Sequence, residues 1–213
     1  MSSAPSVARM RGPRCFRTDA RPRASGSPSR RRGRRLHSTP IPPVERHAET
    51  LWANECDLLF LPNGGSLLFA RRNQGNGEPN PQFAELGGFR QGYVGFSSTP
   101  SMSTWATVNE ELYFHAPAAL AHRGKIYLAG RDMVKLPNGA TETCRLWEFD
   151  QSKGFTEIAQ FETRGDCSYP GIVAISDLEL AVSYYSCHEG MTAYFDKLGK
   201  SDIYLARVKL RNP

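Results

Sequence analysis

Residues 117–131 read Pro117-Ala118-Ala119-Leu120-Ala121, then His122-Arg123-Gly124, then Lys125-Ile126-Tyr127-Leu128-Ala129-Gly130-Arg131. Two short apolar runs are separated by a polar, glycine-bearing break, which is the punctuation of a β-hairpin. The pattern returns at 170–184: Pro170-Gly171-Ile172-Val173-Ala174 leads to Ser176-Asp177, and Leu178–Tyr184 comes back. An earlier copy runs from Leu58–Leu61 through Pro62-Asn63-Gly64-Gly65 to Ser66–Arg71. Asn and Gly accept positive φ there, so the turn has a local cause. The second and third copies align without gaps at an offset of 53, matching Pro117 to Pro170, Leu120 to Val173 and Arg131 to Tyr184. Around their turns the first and second align at 59, matching Gly65 to Gly124 and Arg72 to Arg131.

Further strand-like runs follow each hairpin. The first copy continues with Gly92–Ser97 and Trp105–Val108, the second with Thr143–Phe149 and Phe155–Phe161, and the third with Asp202–Leu210. No window of about twelve residues carries a 3.6-residue apolar period, so long helices are not expected. Four short antiparallel strands recurring every ~40–55 residues is the signature of propeller blades. The expected fold is therefore all-β: a partial β-propeller of about three four-stranded blades. A single sandwich would not repeat in register. Known propellers close with about four to eight blades. Association with another chain, or blades missing before the strand at Leu51–Asp57, is thus an expectation of the count.

The first 45 residues differ. Eleven arginines stand against Asp19 and Glu45, about +9; with +6 for the whole chain, residues 46–213 carry about −3. The tail is rich in Ser, Pro, Ala and Gly and nearly free of aromatics, so it is expected to be disordered. Its Arg30–Arg35 cluster has the charge to meet phosphates, but a solvated arm or spurious upstream sequence is the plainer reading, and nucleic acid is not assigned as a partner. No 7–15-residue apolar run follows the early charges, and no stretch of about 20 apolar residues appears, so neither a secretory signal nor a membrane span is expected. Cys15, Cys56, Cys144, Cys167 and Cys187 are odd in number and scattered, with no C-x-x-C pair. They read as buried free thiols. No motif asks for a metal or another cofactor.

The segments Glu55–Gly64, Ile126–Arg131, Gly165–Gly171, Val182–Gly190 and Asp202–Val208 carry a likeness. The chain resembles the sialidase-like, BNR-repeat β-propeller superfamily over residues of about 52 to 210. A trace of the family's Asp-box, a structural hairpin motif, also occurs: Ser98, Thr104 and Trp105 fall in place, while Pro100 and Met102 replace its Asp and Gly.

In a propeller the innermost strands line a channel, so equivalent positions of successive blades converge at its mouth. Arg72, Arg131 and Tyr184 hold such positions in the sequence register. The resemblance implies a glycan-acting protein, of exo-α-sialidase type if catalytic, in which arginines hold a sugar carboxylate and a Tyr–Glu pair works with an Asp. It makes Asp166, Tyr184 and Glu189 the catalytic candidates. Glu55, Arg72, Arg131, Tyr169, Tyr185 and His188 become the substrate-binding ones. Tyr184 and Tyr185 alternate faces, so one belongs to the core and the other to the pocket. For Glu55 a blade-to-blade hydrogen bond is the structural alternative, for Asp166 a turn, and for Arg131 a solvated or paired strand end. His115 and His122 read as structural or exposed. A first-blade arginine and aspartate have no counterpart, and three arginines cannot be placed in register. A non-catalytic carbohydrate- or protein-binding propeller and a truncated, inactive fragment stay open as alternatives.

Overall fold

The computed structural model describes residues 6–10, 52–73, 92–100, 102, 104–109, 112–136, 139–163, 166–188 and 201–211. Among the described residues, twelve strands make three antiparallel sheets of four. Blade 1 comprises β2 (Trp52–Phe60), β3 (Ser66–Asn73), β4 (Tyr93–Ser97) and β5 (Ala106–Asn109), paired in that order. Blade 2 comprises β6 (His115–His122), β7 (Lys125–Leu136), β8 (Gly139–Asp150) and β9 (Gly154–Gln160). Blade 3 starts with β10 (Cys167–Ser176), β11 (Glu179–Ser186) and β12 (Asp202–Lys209). Its outermost strand is β1 (Ser6–Met10), which runs antiparallel to β12 with Ser6 opposite Arg207 and Met10 opposite Ile203. Of the tail expected to be disordered, residues 6–10 form this strand and the rest lies outside the described residues. An edge strand can be held by the backbone of its neighbour, and that contribution is invisible to composition.

The hairpins form where the turn chemistry allows. Arg123 and Gly124 both take positive φ, 52° and 73°, between the paired His122 and Lys125. Two positive φ values in a two-residue loop match the twist of the flanking strands. In blade 1, Asn63 Oδ1 accepts from Gly65 N at 3.0 Å, and Gly64 sits at φ 85°. The Asp-box trace keeps its hairpin without its glycine: Met102 adopts φ 51°, and the Trp105 indole donates to Met102 O at 3.0 Å.

Alternation along the strands supplies two interblade cores. Leu67, Phe69 and Val94 of blade 1 meet Leu128, Trp147 and Phe149 of blade 2. Phe69 meets Phe149 edge-on, with centroids 5.6 Å apart. Tyr127, Ala129, Cys144 and Leu146 of blade 2 meet Leu180, Val182, Tyr184 and Tyr204 of blade 3. The first strands of the sheets lie side by side, β2 against β6 and β6 against β10. They therefore form the inner wall. Cys144, Cys167 and Cys187 are buried free thiols, while Cys56 is exposed, contrary to expectation, because alternation along β2 turns it away from blade 2; Cys15 lies outside the described residues.

Candidate functional site

Each inner strand carries a β-bulge near its N-terminal end. The breaks lie between Ala53 and Cys56, His115 and Ala118, and Ser168 and Gly171. At Ala116 and Tyr169, each followed by a proline, φ is 44° and 46°. Such values cost a non-glycine residue on the order of 1–2 kcal/mol, and strain of this kind gathers at functional sites. A bulge re-aims the side chains beside it. Here it points three strand ends at one mouth.

Glu55 lies at the centre of the blade 1 contribution. Its Oε2 accepts from Arg71 Nη1 at 3.1 Å and from Ala116 N of blade 2 at 3.0 Å. Its Oε1 accepts from the Tyr169 hydroxyl of blade 3 at 2.7 Å. Burial pushes the Glu55 carboxyl up, but donation from Tyr169, Arg71 and Ala116 outweighs it and holds the group below its ordinary value. One carboxylate thus ties together all three blades. Two residues along β2, Asp57 Oδ2 accepts from Ala119 N at 2.7 Å, a second bond from blade 1 to blade 2.

The other half of the mouth centres on Arg131, whose side chain is 12% exposed. Its Nη1 donates to Glu142 Oε2 at 3.0 Å and to Asp166 Oδ1 at 3.2 Å. Burial works against the Arg131 charge, yet Glu142 and its neighbours hold the guanidinium above its ordinary value. Burial likewise raises Glu142, against the pull of Arg131. Asp166 Oδ1 also accepts from the Tyr185 hydroxyl at 2.9 Å, while its side chain is 61% exposed. Burial, then donation to Asp166, pushes the Tyr185 phenol up. Tyr169 and Tyr185 stack at 6.1 Å and 26°, and Tyr169 is 64% exposed. Behind them the Tyr113 hydroxyl lies 3.1 Å from His115 Nδ1. Burial and the nearby Arg71 and Arg131 lower His115 to about 3, so its ring is neutral.

Glu55, Arg131, Asp166, Tyr169 and Tyr185, each a candidate from the sequence, are therefore brought together. Two register assignments need correction. Ser168 pairs with Tyr185 as His115 pairs with Arg131, so Tyr185, not Tyr184, is the equivalent of Arg131. The shift of one comes from an irregularity between Ala174 and Ser176 that adds Ile175 to the hairpin. Tyr184 lies in the core, stacked between Phe161 at 5.2 Å and Tyr204 at 5.5 Å, and its hydroxyl donates to Glu162 O. In blade 1, Arg71 rather than Arg72 makes the ion pair with Glu55; Arg72 sits opposite Ala53 and points to the other face of β3 by alternation. His188 rests against Tyr204 at 4.4 Å, with Nδ1 3.0 Å from Ser186 Oγ. Glu189 lies outside the described residues. The sequence reading did not single out Arg71 or Glu142. Only the facing of β3 and the long β7–β8 pairing, which sets Arg131 opposite Cys144, bring them in.

Among the described residues no group of three or more His, Cys, Asp or Glu could hold a metal ion. No helix there is long and apolar enough to cross a membrane.

No family model matches the chain, and no curated protein does. Among solved structures it is similar to a protein of unknown function from Dyadobacter fermentans DSM 18053. The two share 20% identity and a TM-score of 0.52, over 76% of this chain and 40% of that one. It also aligns with the GH43_1 enzyme from Xanthomonas citri complexed with xylotriose, at 15% identity and TM-score 0.45 over 70% of this chain and 47% of that one. A glycoside hydrolase family 43 arabinoxylan arabinofuranohydrolase from Bacillus subtilis, in complex with cellotetraose, aligns at 13% and 0.46 over 81% and 37%. The chain thus spans less than half the length of each. At these identities a likeness speaks to fold alone, and no residue role is carried over. By fold the molecule is an all-β, partial β-propeller of three four-stranded blades.

Proposed function

We propose that the mouth formed by Glu55, Arg71, Arg131, Glu142, Asp166, Tyr169 and Tyr185 binds a neutral glycan. The observation that carries this is the Tyr169–Tyr185 stack, with a carboxylate hydrogen-bonded to each phenol: Glu55 on Tyr169 and Asp166 on Tyr185. Exposed aromatic surface gives the apolar faces of a sugar ring something to lie on, and flanking carboxylates accept from its hydroxyls. Two arginines meet three carboxylates in this cluster, a formal net charge of about −1. The sialidase-type reading needs Arg131 to hold a sugar carboxylate, but Glu142 and Asp166 already engage it. A neutral sugar meets no such competition.

Hydrolysis is the finer form of this reading. Most glycosidases place two carboxyl groups about the scissile bond. Asp166 is the solvent-facing member here, and Glu55 is the one held ionised by its donors. Binding of neutral oligosaccharides and of sialyllactose to the full chain, measured by calorimetry beside aryl-glycoside turnover, tests both levels. Neutral sugars are expected to bind, and Tyr185→Ala to weaken them at least tenfold. Turnover lost in Asp166→Asn with binding kept marks an enzyme. Binding without turnover marks a lectin-like protein. Failure of every neutral sugar to bind overturns the proposal.

A further inference from the structure

The seam between blades 2 and 3 holds two thiols. Alternation along β8 turns Cys144 and Leu146 toward blade 3, and Cys167 opens β10, the inner strand of blade 3. β8 and β10 lie side by side there, and both cysteines sit in one apolar cluster, 1% and 0% exposed. The two side chains are hydrogen-bonded to each other. Cys187, the third buried thiol, instead lies 3.1 Å from Ser201 Oγ, and Cys56 is exposed on blade 1. Cys144 stands opposite Arg131 in the β7–β8 register. Cys167 follows Asp166 in the chain and stands opposite Ser186, the neighbour of Tyr185. The pair therefore adjoins the Arg131–Asp166–Tyr185 half of the mouth.

We propose that Cys144 and Cys167 are a disulfide-forming pair whose oxidation staples blade 2 to blade 3 beside the mouth. A disulfide forms only where two side chains face each other closely, and a hydrogen-bonded thiol pair on opposed sheets is so placed. The oxidant is a small-molecule disulfide of the oxidised glutathione class. One cysteine, as its thiolate, attacks a sulfur of the oxidant, forms a mixed disulfide and releases one reduced thiol. The second cysteine attacks the protein sulfur of that mixed disulfide, forms the Cys144–Cys167 bond and releases the other. Two electrons pass to the oxidant, and the two protons of the cysteines end on its two thiols. The thiolate is the nucleophile in both steps. The hydrogen bond to Cys167, with burial, pushes the Cys144 thiol well up. The closed seam is therefore slow to react, and exchange belongs to folding or to local opening of the seam.

Refolding the full 213-residue chain from urea in a buffer of oxidised and reduced glutathione tests this independently of whether any sugar binds. Remaining thiols are then alkylated and the peptides mapped by mass without reduction. The expected product is a Cys144–Cys167 cross-link, lighter than the thiol pair by two hydrogens. The bond closes a loop over the 22 residues 145–166, so oxidation is expected to raise Tm by roughly 4–12 °C. Dithiothreitol should reverse the rise. Cys144→Ala and Cys167→Ala should each abolish the redox-dependent shift, and Cys187→Ala should keep it. The wild-type peptide map decides the pairing without any variant having to fold. Free thiols at both positions, glutathione adducts without the cross-link, or either cysteine joined to Cys15, Cys56 or Cys187 overturns the proposal. So does a Cys144–Cys167 cross-link that leaves Tm unmoved.

Discussion

Replacing Glu55 by Ala removes three hydrogen bonds at once, and the parts differ in weight. The bond from Ala116 N is made to a charged acceptor at a largely buried strand end. Hydrogen bonds to charged groups contribute about 1.5–3 kcal/mol. The Arg71–Glu55 pair is about one-fifth exposed on each side, and the cost of desolvating both charges offsets much of their attraction, leaving about 0.2–1 kcal/mol. The Tyr169 hydroxyl stands in solvent and can turn to water, so it adds little. The expected loss is about 2–4 kcal/mol, which for a chain of this size lowers Tm by roughly 4–16 °C. Glu55→Gln keeps an oxygen for Ala116 N and should lose about half as much. Thermal unfolding followed by far-UV circular dichroism at pH 7 reads the difference. Because the folded Glu55 carboxyl is held below its ordinary 4.5, its contribution is present above that pH and fades as acid protonates it. The gap between wild type and Glu55→Ala should therefore narrow below about pH 4. A Tm shift under about 1 °C at pH 7, or one no larger than that of Tyr169→Phe, refutes the argument that this carboxylate ties the blades together.

Other predictions follow the same geometry. Tyr184→Phe removes only the hydroxyl bond to Glu162 O; it should cost about 0.5–1.5 kcal/mol of stability and leave glycan binding and any turnover unchanged, as kinetics and calorimetry will show. Burial raises Asp132 to about 6 from 3.8, and burial with Arg71 and Arg131 lowers His115 to about 3 from 6.5. Asp132 thus lowers stability as pH rises from about 4 to 6, and His115 lowers it as pH falls below about 6.5. Tm measured between pH 4 and 7 should be more acid-sensitive in Asp132→Asn and less so in His115→Gln. Deleting residues 1–10 uncovers the edge of β12, and amide exchange over residues 203–207 should speed up while that of β7 is unchanged.

The strands were legible because their causes are local. Asn63-Gly64 and Arg123-Gly124 fix two turns, and apolar alternation fixes which side of each hairpin is buried. The repeat at 53 and 59 residues identified blades from the same information. The site was legible only in part. Arg131 came from converging strand ends, and Asp166, Tyr169, Tyr185 and Glu55 from the family resemblance, but a single added residue, Ile175, moved Tyr184 out of register and into the core. A bulge of one residue changes which side chain faces the channel, and nothing in the composition of Ala174-Ile175-Ser176 announces it. Arg71 was missed for a related reason, since gap-free matching favoured Arg72 while the facing of β3 turns Arg71 toward Glu55. The strand at Ser6–Met10 was missed because its partner lies near the other end of the chain.

The central claim is that the inner ends of three blades form one mouth that holds a neutral sugar against Tyr169 and Tyr185. Selective labelling of the eight tyrosines, with ring NMR signals followed during titration by xylotriose, cellotetraose and maltotriose, tests it most directly. The account predicts saturable shifts at Tyr169 and Tyr185, none at Tyr127, and no comparable response to sialyllactose. Shifts only at Tyr127, beside the opposite end of the blades, or a stronger response to the sialylated sugar, would contradict it.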